Sequence, residues 1–129
     1  MALSQDQIAD LVIATLSAYK YSLDSAWELR GGLKTAGLCT PKVVLQKDAE
    51  AVVKALKAVG YDRGKLTAII APRLQSLMAA IDAGHLHSLV DDIAANDEDA
   101  FRARLEKVKG AGPMCSRIAW ILMAKESAQ

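Results

Sequence analysis

The sequence predicts an all-α protein, one helical domain of about seven to nine helices spanning residues 1–129. Three observations predict it. Alanine and leucine are abundant while aromatic residues make up only 5% of the chain, a balance that favours helix over sheet. Apolar residues recur three and four positions apart along most of the length, and no segment alternates as a half-buried strand would. Glycine, proline and small polar residues fall between those periodic segments, where helices start and stop. With 129 residues, 52% of them apolar, the chain can bury a core without metals or disulfides.

Ser4 reads as the N-cap of a first helix from Gln5 to Ala18, with Ile8, Leu11, Val12, Thr15 and Leu16 at helical spacing. After a break at Tyr19-Lys20-Tyr21-Ser22, a second helix is capped by Ser22 or Asp24 and closed by Gly37. Trp27, Leu29, Leu33 and Leu38 mark its buried side. Gly31 and Gly32 inside it cost about 1 kcal/mol each relative to alanine, so the pair predicts a closely packed neighbour or a fraying end. Thr40-Pro41 starts a short helix to Gln46, with proline in the first turn. Asp48 caps a stronger helix, Ala49 to Val59, stopped by Gly60. Asp62 opens the longest stretch, to about Ala83. Pro72 inside it should kink or divide it near Ala71, because proline removes a donor and crowds the preceding turn. A short helix around Leu86 to Ala94 follows Gly84. Asn96 or Asp97 caps the next, which carries Phe101, Leu105 and Val108, and the last runs from Pro113 to about Lys125.

The stretch Val108-Lys109-Gly110-Ala111-Gly112-Pro113-Met114-Cys115-Ser116 joins those last two helices. Glycine tolerates positive φ and close approach of another backbone, so Gly-x-Gly between helices makes a tight, exposed hairpin. Pro113 fits the first turn of the following helix. The amides there point outward at the positive end of the helix dipole, a natural place for a phosphate. Lys107, Arg117 and Lys125 are close enough in sequence to extend a basic rim.

This arrangement resembles the helix-hairpin-helix DNA-binding motif, placed here at about residues 98–125. Val108 and Ala111 stand where that family has apolar residues, and Ser116 stands at the small residue four positions after the second glycine. Upstream, Leu16-Ser17-Ala18, Ser25-Ala26-Trp27, Thr40-Pro41 and Val59-Gly60-Tyr61-Asp62-Arg63-Gly64-Lys65 resemble successive landmarks of the helix-hairpin-helix DNA glycosylase superfamily, over roughly residues 8 to 122. The resemblance implies duplex DNA, held through its phosphates, as the partner. It implies Lys109, Gly110, Ala111, Gly112, Met114, Cys115 and Arg117 as the binding residues of the hairpin. It also implies Tyr19 and Tyr21 in the loop that wedges into a duplex. Met114 occupies the position of the lyase lysine, and a thioether cannot form a Schiff base. The family's catalytic aspartate falls beyond Gln129 at the family's spacing, and there is no cysteine cluster for an iron–sulfur centre. The expectation is therefore a DNA-reading core with no catalytic residue, metal or cofactor assigned.

Other features are weaker. The net charge of +1 argues against a nonspecific nucleic-acid coat. Cys39 and Cys115 read as reduced thiols, with a structural disulfide as the alternative. His85 and His87 lie two apart near acids, but residues two apart on a helix do not face the same way. The acidic stretch Asp91 to Asp99 reads as an exposed, helix-capping segment that DNA would repel. Without a leader-like N-terminus or an apolar run near the ~18 residues of a membrane span, the expected location is the cytoplasm. Two other functions compete with DNA binding. One is a minimal base-excision glycosylase that uses Asp24 or Asp62 to activate water. The other is a protein-interaction domain, forming a homodimer or taking a protein partner, that kept the fold and lost DNA binding.

Overall fold

The computed structural model describes residues 3–18 and 20–127. Among them the chain forms nine helices and no strand, in the order α1 Gln5–Ser17, α2 Leu23–Glu28, α3 Arg30–Thr35, α4 Pro41–Leu45, α5 Ala49–Ala58, α6 Lys65–Asp82, α7 Leu89–Ala94, α8 Glu98–Glu106 and α9 Pro113–Ser127. The fold class is the one expected.

α1 is the centre of the domain. Every residue from Ile8 to Ser17 is buried, and α2, α3, α6 and α9 pack around it. A helix buried on all sides must satisfy its polar side chains internally. Thr15 and Ser17 therefore donate their hydroxyls to the carbonyls of Leu11 and Ile13 one turn back. Its start is fixed by a capping box. The Gln7 amide donates to Ser4 Oγ at 3.1 Å, and the Ser4 amide to Gln7 Oε1 at 2.8 Å. Asp10, wholly buried, accepts from Arg30 Nη2 at 3.3 Å. Arg30 also donates to Asp6 Oδ1 at 3.2 Å, and Lys34 joins the same carboxylate, so α3 is clamped to α1 by charge as well as by Leu33.

Helix ends follow the punctuation. After α3, α5 and α6 the chain turns through Gly37, Gly60 and Gly84, all at positive φ. In each case the next residue's amide returns to a carbonyl five positions back: Leu38 to Leu33, Tyr61 to Leu56 and His85 to Ala80. These are Schellman closures, which use up the last carbonyls of a helix. Asn96, at φ 54°, serves the same way after α7, with the Asp97 amide on the Asp92 carbonyl. Asp97 then caps α8 by accepting from the Ala100 amide at 3.1 Å.

Five expectations need correction. The second helix is two helices, parted at Leu29, whose amide bonds to the Ala26 carbonyl three residues back instead of continuing the regular ladder. Weak helix formers at Gly31 and Gly32 let the chain tighten there, and Gly32 lies beside Val59 at van der Waals distance. Trp27 is not a core residue: it is 42% exposed, with the Arg30 guanidinium 4.8 Å from its ring centre. The inward face of α2 is carried by Ala26 instead. Pro72 does not divide α6, which runs unbroken from Lys65 to Asp82. Pro72 and Ala68, the residue four back, are both exposed, so water can satisfy the carbonyl that loses its donor. Finally, α6 starts three residues later than expected. Asp62 is not its cap but accepts from the Gly64 amide at 3.1 Å, and residues 83–88 form turns ahead of a shorter α7.

Both cysteines are free and buried. Burial pushes the Cys39 thiol up to about 11. The folded protein thus keeps a proton that the unfolded chain releases, and stability falls as pH rises from about 9 towards 11. Urea unfolding across that range should show this slope in the wild type and a smaller one in Cys39→Ala. Equal slopes would place the effect elsewhere. Removing a partner from the buried ion pair should matter more. Arg30→Ala, which leaves the Asp10 carboxylate in the core without its guanidinium, should lower unfolding stability by about 3 kcal/mol. A loss below about 1 kcal/mol would mean that water reaches Asp10 in solution.

Candidate functional site

The hairpin between α8 and α9 forms as its glycines require. Phe101 and Leu105 anchor α8 in the core, where Phe101 meets Trp120 of α9 edge-on, ring centres 5.3 Å apart. Val108 and Ala111 are half-buried against the same core, and the Ala111 amide closes the turn on the Val108 carbonyl at 3.0 Å. Gly110 sits at φ 89°, a conformation that L side chains rarely adopt. A Cβ there would also lie 2.6 Å from Arg73 Cγ, because the Arg73 side chain of α6 lies across this glycine.

Gly112 differs. It has no positive φ, and a Cβ built on it meets nothing within 4 Å. Nothing in the fold demands glycine at that position, which faces open space beside the first turn of α9. The Ser116 amide returns to the Gly112 carbonyl at 3.0 Å, so α9 begins there. Met114 and Cys115 are in its first turn, whose amides have no intrahelical acceptor.

The turn is held from beneath by a polar cluster. The Ser116 hydroxyl, fully buried, donates to Glu106 Oε2 at 2.7 Å and accepts from Arg102 Nε at 3.2 Å. Arg102 also donates to the Pro113 carbonyl at 3.4 Å and pairs with Glu98. These bonds pin the end of α8 to the start of α9, so the loop conformation is set by its own stem. Ser116 was legible as a small residue at a motif position. Arg102 and Glu106 were not, since both read as ordinary charges on an exposed helix face.

The remaining expected site residues divide. Lys109 and Arg117 are exposed, and Met114 is 53% exposed. Cys115 is buried, its Sγ 3.8 Å from Thr15 Oγ1, so only its backbone remains for a ligand. Burial also raises the Cys115 thiol above its ordinary range. Tyr21 is half-buried, its ring edge-on to Tyr61 at 5.0 Å and covered by the Arg63 guanidinium at 5.3 Å. Tyr19 lies outside the described residues.

Three loops singled out in the sequence gather at one end of α1. Thr15 touches Cys115 at the start of α9, and the Tyr61 hydroxyl donates to the Leu16 carbonyl at 3.1 Å. Tyr21 and Arg63 pack on Tyr61. Charge is segregated as well. Residues 102–117 contain five cationic side chains and one acidic one, whereas 91–99 contain five acidic side chains and no cation, so the near-neutral total conceals a basic hairpin.

One neighbour of the hairpin was not anticipated. Between α6 and the α8–α9 turn runs a cleft of about 690 Å³, lined by residues that include Ala79, Ala80, His85, Lys107 and Lys109. A smaller recess of about 360 Å³, at Ile69, Pro72 and Gly110, shares Ser76 and Lys109 with it. Among the described residues no cluster of His, Cys, Asp and Glu is placed to hold a metal ion, and no helix is long and apolar enough to cross a membrane. No family model, curated protein or solved structure matches this chain.

Proposed function

We propose that this protein binds DNA through the α8–α9 hairpin, gripping backbone phosphates without lyase chemistry. The observation that carries the reading is Gly112, a glycine with no conformational or packing reason in the fold. It faces open space between exposed Lys109 and the unsatisfied first-turn amides of α9. A phosphate needs this combination: aligned N–H donors, a helix dipole, a nearby cation, and no Cβ to hold it off. Arg117 and Lys107, both exposed, would add charge around it. The rigid Arg102–Ser116–Glu106 stem keeps the donors in place before a ligand arrives, so little ordering entropy opposes binding.

Base-excision activity is not part of this reading. Met114 at the lyase position has no nucleophilic nitrogen, and Asp24 and Asp62 are exposed. One carboxylate oxygen of Asp62 accepts from the Gly64 amide.

Gly112→Ala separates a functional glycine from a structural one. Its Cβ meets open space, so melting temperature and helical content should be kept or slightly improved. Affinity for a labelled duplex, followed by fluorescence anisotropy at low salt, should fall several-fold. Binding by the wild type should weaken as salt rises, and Lys109→Glu should reduce the slope of log K against log salt by about 1. Unaltered affinity in Gly112→Ala would remove the hairpin as the phosphate site.

A further inference from the structure

The hairpin reading uses only one wall of the cleft beside it. The opposite wall is α6 with the residue that caps it, presenting only small side chains, Ser76, Ala79, Ala80 and Ala83, so half-buried Val108 is left lining an open trench with Leu86 buried in its wall. The charged side chains on the rim are all cations, with a histidine beside them. Arg73, His85, Arg104, Lys107 and Lys109 line the cleft and its recess, and no Asp or Glu does among the described residues. Arg104 is engaged by Asp92 at 2.9 Å, whereas Lys107 and Lys109 are exposed and make no ion pair among the described residues.

An apolar floor between cationic rims fits a polyanion that also offers apolar faces. A duplex does not qualify, since its base faces are stacked inside and it presents mainly its backbone outward. An unpaired strand does qualify, because its separated bases expose flat faces while its phosphates stay at the edge. Lys109 belongs both to the hairpin and to the trench, and Gly110 borders the recess that adjoins it, so a strand leaving a phosphate at the hairpin would pass directly into the trench. We infer that the trench between α6 and the α8–α9 turn holds an unpaired nucleic-acid strand. The preferred substrate is then a junction of double- and single-stranded nucleic acid, not a continuous duplex. This inference rests on the hairpin reading and names the form of nucleic acid that site takes.

The test compares a blunt duplex with the same duplex bearing a short single-stranded tail, by fluorescence anisotropy at one salt concentration. Wild type, Ala79→Trp and Lys107→Glu are measured side by side. Both changed positions are exposed, so the indole fills the trench and the carboxylate reverses its rim without entering the core, and circular dichroism checks the fold. The tailed duplex should bind at least about fivefold more tightly than the blunt one, the scale of one base gaining a favourable surface. Both variants should lose that gain, Ala79→Trp while keeping blunt-duplex affinity to within about twofold and Lys107→Glu while weakening blunt-duplex binding as well, since Lys107 also adds charge beside the hairpin. Equal affinity for tailed and blunt duplexes would overturn the inference and leave the hairpin reading standing. Failure to bind either would overturn both. A polyglutamate peptide that binds the wild type but neither variant, with no response to the tail, would overturn the inference in favour of an acidic protein segment.

Discussion

The domain depends on the burial of α1. Ten successive buried residues, Ile8 to Ser17, force four helices to pack around it, and they leave the buried Asp10 carboxylate to be met inside the protein. Arg30 meets it from α3, and that pair sets which face of α3 turns inward. The arrangement is specific more than it is strong. A buried ion pair contributes little net stability over an apolar pair of the same shape, but it penalises any packing that separates its members.

The proposed site lies at one end of this central helix, where three connections come together. Tyr61 reaches the Leu16 carbonyl, Cys115 lies against Thr15, and Tyr21 is held by Tyr61 and Arg63. Two of the ties use the end of α1 as a fixed post, and the third, Tyr21, is held through Tyr61. Loops held at their bases can keep an exposed tip in one shape, and the hairpin is the clearest case. Its tip is glycine and lysine, while its stem is an interlocked serine, arginine and glutamate. Rigidity below and openness above are the conditions under which backbone amides can act as a binding group.

The sequence and the structure agree most closely where local chemistry decides. Ser4, Asp48 and Asp97 were legible as caps because a short acceptor ahead of a periodic run satisfies orphan amides whatever the tertiary context. Gly37, Gly60 and Gly84 were legible as stops for the equivalent reason at the other end. The errors arose where two local rules competed. Residue type alone puts Trp27 in the core, yet its position on a short, broken helix turns it outward. Pro72 was assigned a break by its missing donor, yet the carbonyl it deprives faces solvent, so the helix continues.

The sequence by itself thus determined most of the helices, the caps at Ser4, Asp48 and Asp97, the hairpin and its exposed lysine, because each rests on interactions within a few residues. Only the tertiary structure decided that Arg73 lies across Gly110, that Gly112 faces open space, and that small residues on α6 leave a cationic trench beside the hairpin. Those facts depend on contacts between segments some thirty residues apart in the chain. A row of alanines on a helix reads identically whether a neighbour fills the space above it or leaves it open. The difference lies in how α6 and α9 are set around α1, and packing of the whole core determines that.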